Sequence, residues 1–147
     1  MRTALKILIV ENDTISALLL CHYLKFFGFC NCLLAATAED ALRVAEEERP
    51  DVILTEIILS GEMSGIETAK QILKKDDNAV IAFMSSCDDP QVMLEALKIS
   101  PAGYFVKPLK MNVIRELLES IDAGCCLPAF SIDEPYGILR GLNYEKK

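Results

Sequence analysis

The sequence predicts an α/β domain: a five-stranded parallel sheet, doubly wound, with helices on both faces. Three observations carry this. Short apolar runs alternate five times with segments of helical periodicity. The apolar runs are continuous, as in strands covered on both faces. The connections are short, so each strand–helix–strand unit crosses over right-handed and keeps its strands parallel.

Lys6-Ile7-Leu8-Ile9-Val10 is the first strand, ended by the polar residues Glu11-Asn12-Asp13. Ile15, Leu18, Leu19, His22, Tyr23 and Phe26 then recur at helical spacing, and Gly28 stops that helix. Phe29 to Ala35 is the second strand. Thr37 is a suitable N-cap for a helix over Ala38–Glu48, whose first turn carries Glu39 and Asp40, favourable to the helix dipole. Pro50 breaks it. The third strand is Val52–Glu56. The glycine-rich loop Ser60-Gly61-Glu62-Met63-Ser64-Gly65 leads into a helix over Gly65–Lys74.

The fourth strand, Ala79–Met84, ends at Ser85-Ser86, and Asp88, Asp89 and Pro90 open a helix reaching about Lys98. Tyr104–Val106 is the fifth strand, ended by Lys107-Pro108. The last helix, Met111–Ile121, carries Val113, Ile114, Leu117, Leu118 and Ile121 on one stripe. The pattern stops near Ala123. Residues 1–123 are therefore expected to form the domain and 124–147 a C-terminal extension or linker, too short for a core of its own.

Hydrophobic residues make up 52% of the chain and charged residues 25%, which fits a globular rather than a disordered protein. The net charge of −7 argues against nucleic-acid binding by bulk electrostatics. No apolar run has the length of a membrane helix and no signal-peptide pattern precedes the first strand, so a cytoplasmic location is expected, without membrane association. The six cysteines, Cys21, Cys30, Cys32, Cys87, Cys125 and Cys126, do not form paired clusters with histidine. The single histidine is His22, so reduced thiols are expected rather than a metal centre.

The ends of the strands collect the residues that carry chemistry. The first gives Glu11, Asn12 and Asp13, the third Glu56, the fourth Ser85 and Ser86, and the fifth Lys107. In an open parallel sheet these ends share one edge, where ligands bind. Carboxylates, a hydroxyl and a lysine suit a hard cation and a phosphoryl group.

Val10-Glu11-Asn12, Leu54-Thr55-Glu56-Ile57, Met84-Ser85-Ser86 and Tyr104-Phe105-Val106-Lys107-Pro108 occur in the order and spacing of a known family. From about Leu5 to Ile121 the chain resembles the receiver domain of two-component response regulators, including the chemotaxis regulators. The resemblance implies a flavodoxin-like sheet of strand order 2-1-3-4-5. It implies a phosphorelay role in which a carboxylate at the end of strand three takes a phosphoryl group from a histidine kinase. Glu56 stands at that phosphoacceptor position. Glu11 and Asn12, with Glu56, stand at the magnesium positions, and Ser85 and Lys107 at the positions that contact the phosphoryl group. Ser85 and Tyr104 stand at the switch positions. The implied partners are a histidine kinase and an output protein. A homodimer through the face made by helix four, strand five and helix five belongs to the same expectation.

Two positions depart from the family pattern. The acceptor is Glu56 rather than aspartate, which moves the carboxylate out by about one C–C bond, ~1.5 Å. A misplacement of ~1 Å can cost on the order of 10²-fold in a step that depends on positioning. Asn12 puts a neutral amide where a second acid would hold magnesium, so metal binding is expected to be weakened. The expectation is a pseudo-receiver: a non-enzymatic signalling module acting by protein–protein contact, its Glu56 inert or imitating part of the phosphorylated state. The alternatives are slow phosphorylation at Glu56 and a phosphatase-like hydrolase. The latter wants an Asp-x-Asp pair where Glu11-Asn12-Asp13 lacks the first aspartate. A flavin site wants a glycine in the loop over Asp13-Thr14-Ile15-Ser16, which has none. Asp51, at the opposite end of its strand, lies ~16 Å from Glu56 and is no substitute acceptor. Asp13 is expected to cap the first helix, and Asp88 and Asp89 to favour the N-terminus of the fourth.

Overall fold

The computed structural model describes residues 3–86, 89–124 and 138–140. The elements follow in the order β1 (Thr3–Val10), α1 (Thr14–Phe26), β2 (Phe29–Ala35), α2 (Ala38–Glu48), β3 (Val52–Glu56) and α3 (Gly65–Lys75). They continue as β4 (Val80–Ser85), α4 (Pro90–Leu97), β5 (Gly103–Val106), α5 (Met111–Asp122) and β6 (Ile138–Arg140). The first five strands are parallel in the order β2-β1-β3-β4-β5, the flavodoxin-like arrangement. To this the structure adds β6, three residues from the extension, which pairs antiparallel with β5 and registers Tyr104 with Leu139. Cys87, Asp88, Cys125 and Cys126 lie outside the described residues.

The chain divides into two compact units, Met1–Ile81 and Ala82–Lys147. In the first, β1 is the central strand. It pairs in parallel with β2 on one side and β3 on the other, with Val10 level with both Ala35 and Thr55. Ile7, Leu8, Ile9, Val10, Val52, Ile53 and Leu54 are all fully buried, as continuous apolar runs require when both faces are covered. Asp51 closes the far end of β3, opposite Glu56: its carboxylate accepts from the Lys6 N–H at 2.8 Å. In the second unit, β4 and β5 pair in parallel with Phe83 level with Tyr104. α5 buries Val113, Ile114, Leu117 and Leu118.

The helix starts follow the capping residues. Asp13 caps α1, accepting from the Ile15 N–H at 3.1 Å and from the Ser16 hydroxyl at 2.8 Å. Thr37 caps α2 through the Asp40 N–H, Ser64 caps α3 through the Glu67 N–H, and Asp89 caps α4 through the Gln91 N–H. Gly28, at φ 99°, turns the chain out of α1 in a backbone conformation that favours glycine.

α1 has an unexpected orientation. The stripe that announces it in the sequence, Ile15, Leu18, Leu19, His22, Tyr23 and Phe26, faces solvent. The face packed inward consists of Ala17, Leu20, Cys21 and Leu24. The helix is apolar on both sides, so periodicity reveals the helix but cannot say which side is covered.

Candidate functional site

Each unit brings part of the candidate site together. In the first, the level pair Val10 and Thr55 is followed in each strand by an acid, so the register sets Glu11 and Glu56 next to one another at the C-terminal edge. Both are buried, with 5% and 6% of their surface exposed. Buried carboxylates need hydrogen-bond donors, and each has a backbone N–H close by in its own chain. Glu56 Oε2 accepts from the Ile57 N–H at 2.9 Å. Glu11 Oε1 accepts from the Asp13 N–H at 3.1 Å. Asn12 is exposed, and its side-chain amide donates to Ser60 Oγ at 3.3 Å, tying the loop after β1 to the loop after β3.

The β3–α3 loop is closed tightly behind Glu56. The Gly65 N–H donates to the Ile57 carbonyl at 2.7 Å. A Cβ on Gly65 would collide with the Glu56 carbonyl oxygen, so only glycine lets the start of α3 approach this closely. The glycine-rich composition of this loop is visible in the sequence, whereas the Gly65–Glu56 contact and the bond between Asn12 and Ser60 are not. Gly65 at the head of a helical pattern was the available signal.

In the second unit, Ser85 ends β4 fully buried and level with Val106. The Lys107 N–H donates to the Ser85 carbonyl at 2.9 Å, which places Lys107 beside Ser85 at the same end of the β4–β5 pair. The Lys107–Pro108 peptide bond is cis. Tyr104 is fully buried, with its ring 6.3 Å from that of Phe83.

The donor set bears on the magnesium that the family resemblance implies. A dication of this kind takes oxygen ligands, most of the protein's share being carboxylate. Here Glu11 and Glu56 each accept a backbone N–H, and the third oxygen donor is the neutral amide of Asn12, bonded to Ser60. Among the described residues no group of three or more acidic, histidine or cysteine side chains is arranged to hold a metal. The set thus holds two carboxylates and one neutral amide oxygen, which brings no charge of its own to a dication.

Acids thus follow β1 and end β3, a serine ends β4 and a lysine follows β5. Residues 7–119 match the response regulator receiver domain family. The chain belongs to that family. This receiver domain is 31% identical over 109 residues to a cyclic di-GMP phosphodiesterase of Thermotoga maritima, covering 74% of this chain and 28% of that protein. It is 27% identical over 116 residues to the chemotaxis protein CheY of the same organism, covering 79% of this chain and 96% of that one. The chain thus spans under a third of the phosphodiesterase but nearly all of CheY. Among solved structures, the signal receiver domain of a modulated diguanylate cyclase from Desulfovibrio desulfuricans superposes with a TM-score of 0.73 at 30% identity. That match covers 81% of this chain and 94% of that one. A CheY-like receiver from Methanospirillum hungatei superposes with a TM-score of 0.75 at 24% identity, covering 82% and 96%. Among the described residues, no helix is long and apolar enough to cross a membrane.

Proposed function

We propose that this receiver domain is a pseudo-receiver: a non-enzymatic module of phosphorelay signalling in which Glu56 replaces the phosphoacceptor aspartate. It acts by protein–protein contact with a histidine kinase or an output protein. Residues 1–123 form the signalling unit and 124–147 the extension. The observation that carries this is Glu56 itself, which stands at the end of β3 with its carboxylate buried and bound to the following N–H at 2.9 Å. A nucleophile must be free to advance in line on phosphorus. One that is ~1.5 Å too long and hydrogen-bonded back to its own strand end is poorly placed to do so.

The remaining family positions keep their chemistry. Ser85 supplies a hydroxyl and Lys107 a cation for a phosphoryl group, and Ser85 with Tyr104 supplies the switch pair. Magnesium binding is weakened because Asn12 contributes no charge beside Glu11 and Glu56. A solved structure from Borrelia burgdorferi is a CheX–CheY complex with beryllofluoride and magnesium.

A second reading rests on the same buried carboxylate. A fixed negative charge at the acceptor position imitates part of the phosphorylated state. It supplies about one charge where a phosphoryl group carries nearer two. Partner binding would then be constitutive. An interface through α4, β5 and α5 would have to accommodate β6, which already lies along β5.

Titration with magnesium and beryllofluoride, followed by amide NMR, tests the proposal. The wild-type chain is expected to show no saturable shifts at Glu56, Ser85 or Lys107, and Glu56→Asp is expected to gain them. Saturable wild-type shifts at these residues would overturn the degenerate acceptor and favour slow phosphorylation at Glu56. The imitation reading fails if Glu56→Gln leaves partner binding unchanged.

A further inference from the structure

We propose that the exposed face of α1 is a homodimer interface, packed against α1 of a second copy of this chain in antiparallel orientation. Ile15 is 77% exposed, Leu18 55%, Leu19 54%, Tyr23 41% and Phe26 81%. They recur at i, i+3, i+4, i+8 and i+11, with the exposed His22 among them at i+7, so they form one stripe along the 13-residue helix. The opposite face, Ala17, Leu20, Cys21 and Leu24, is already buried. A helix apolar on two faces is normally covered on both, and contiguous apolar patches of this extent mark interaction sites.

Area and charge select the occupant. Five large side chains at these exposures present on the order of 600 Å² of apolar surface per copy, so a symmetric pair buries about 1,200 Å². That is at the small end of specific interfaces and suits a concentration-dependent dimer rather than an obligate one. Each copy carries a net charge of −7, so most faces of two copies repel. α1 is an exception: residues 14–26 contain no Asp or Glu and one lysine, Lys25. Antiparallel packing sets the helix dipoles in opposition and brings the Lys25 end of each helix beside the Asp13 end of the other. A two-fold axis across the middle of the helix makes the contact self-complementary, with Ile15, Leu18 and Leu19 of each copy meeting the aromatic half, Tyr23 and Phe26, of the other.

Sedimentation velocity of the full chain with reductant, from low to several hundred micromolar, provides the test. The wild type is expected to dimerise in the micromolar range. Leu19→Glu and Phe26→Glu are each expected to weaken the dimer more than tenfold with unchanged far-ultraviolet circular dichroism. Leu94→Glu, at an exposed leucine on α4, is expected to leave it intact. A dilution series of wild-type amide spectra needs no variant, and its concentration-dependent shifts should concentrate in Thr14–Phe26. A wild-type chain that stays monomeric overturns the proposal and leaves the face to a different protein. So does a dimer lost in Leu94→Glu and retained in both α1 variants, or shifts that avoid α1.

Discussion

The Glu56 carboxylate accepts a hydrogen bond from the Ile57 N–H at 2.9 Å, so the side chain that ends β3 is turned onto the backbone that follows it. Both residues are buried, Glu56 at 6% exposure and Ile57 at 3%. A buried N–H needs an acceptor, which gives this carboxylate a structural job beside any signalling one. The two jobs separate by substitution. Glu56→Gln keeps a carbonyl oxygen for Ile57 and is expected to change stability by less than about 1 kcal/mol. Glu56→Ala removes the acceptor and is expected to cost about 1–3 kcal/mol. Urea denaturation of the three chains measures the difference.

Gly65 is the second support of this corner. Any Cβ there meets the Glu56 carbonyl oxygen, and backbone cannot step aside as a flexible side chain can. Gly65→Ala is therefore expected to cost about 1–3 kcal/mol, the range for overpacking, and to loosen the bond from its N–H to the Ile57 carbonyl. The urea midpoint should fall, and amide exchange should quicken at residue 65 more than in β1.

Much of this was legible in the sequence because burial on both faces leaves a plain signature. The runs Lys6–Val10, Phe29–Ala35 and Val52–Glu56 announced their strands, and Asp13, Thr37 and Asp89 announced or flanked helix starts. The strand ends named Glu11, Glu56, Ser85 and Lys107 because polar residues after apolar runs are conspicuous. Other features had no local signal. α1 is apolar on both sides, so its stripe of Ile15, Leu18, Leu19, Tyr23 and Phe26 could not show which face was open. The pairing of Ile138–Arg140 with β5 depends on a return across a long connection. The bonds from Asn12 to Ser60 and from Gly65 to Ile57 depend on loop closure, which no spacing encodes.

Cys32 gives a pH-dependent test of the α1–β2 packing. Burial, reinforced by the neighbouring Cys21 and partly offset by Lys25, pushes the Cys32 thiol up to about 12 from an ordinary 9.0. The folded state therefore holds this proton above the pH at which the unfolded chain releases it. Its contribution to stability is fully present below about pH 9 and is lost as pH rises from there towards 12. Cys32→Ala is expected to flatten the alkaline fall in the urea midpoint. At pH 8 alkylation should label the exposed Cys30 well before Cys32, and mass mapping of the labelled peptides checks the order.

Asn12→Asp tests the proposed weakening of magnesium binding. In the Glu56→Asp background it adds a negative charge beside Glu11 and removes the amide donor to Ser60. Magnesium affinity, read by titration calorimetry, is expected to rise on the order of tenfold. An unchanged affinity would mean that the charge at position 12 does not limit the site.

The most direct test of the degenerate acceptor is intact mass after incubation with acetyl phosphate and magnesium, for the wild type and Glu56→Asp side by side. The account predicts no phosphoryl adduct on the wild type and one on Glu56→Asp, lost again on mild base treatment as an acyl phosphate should be. A stoichiometric adduct on the wild-type chain, mapped to Glu56, would contradict it.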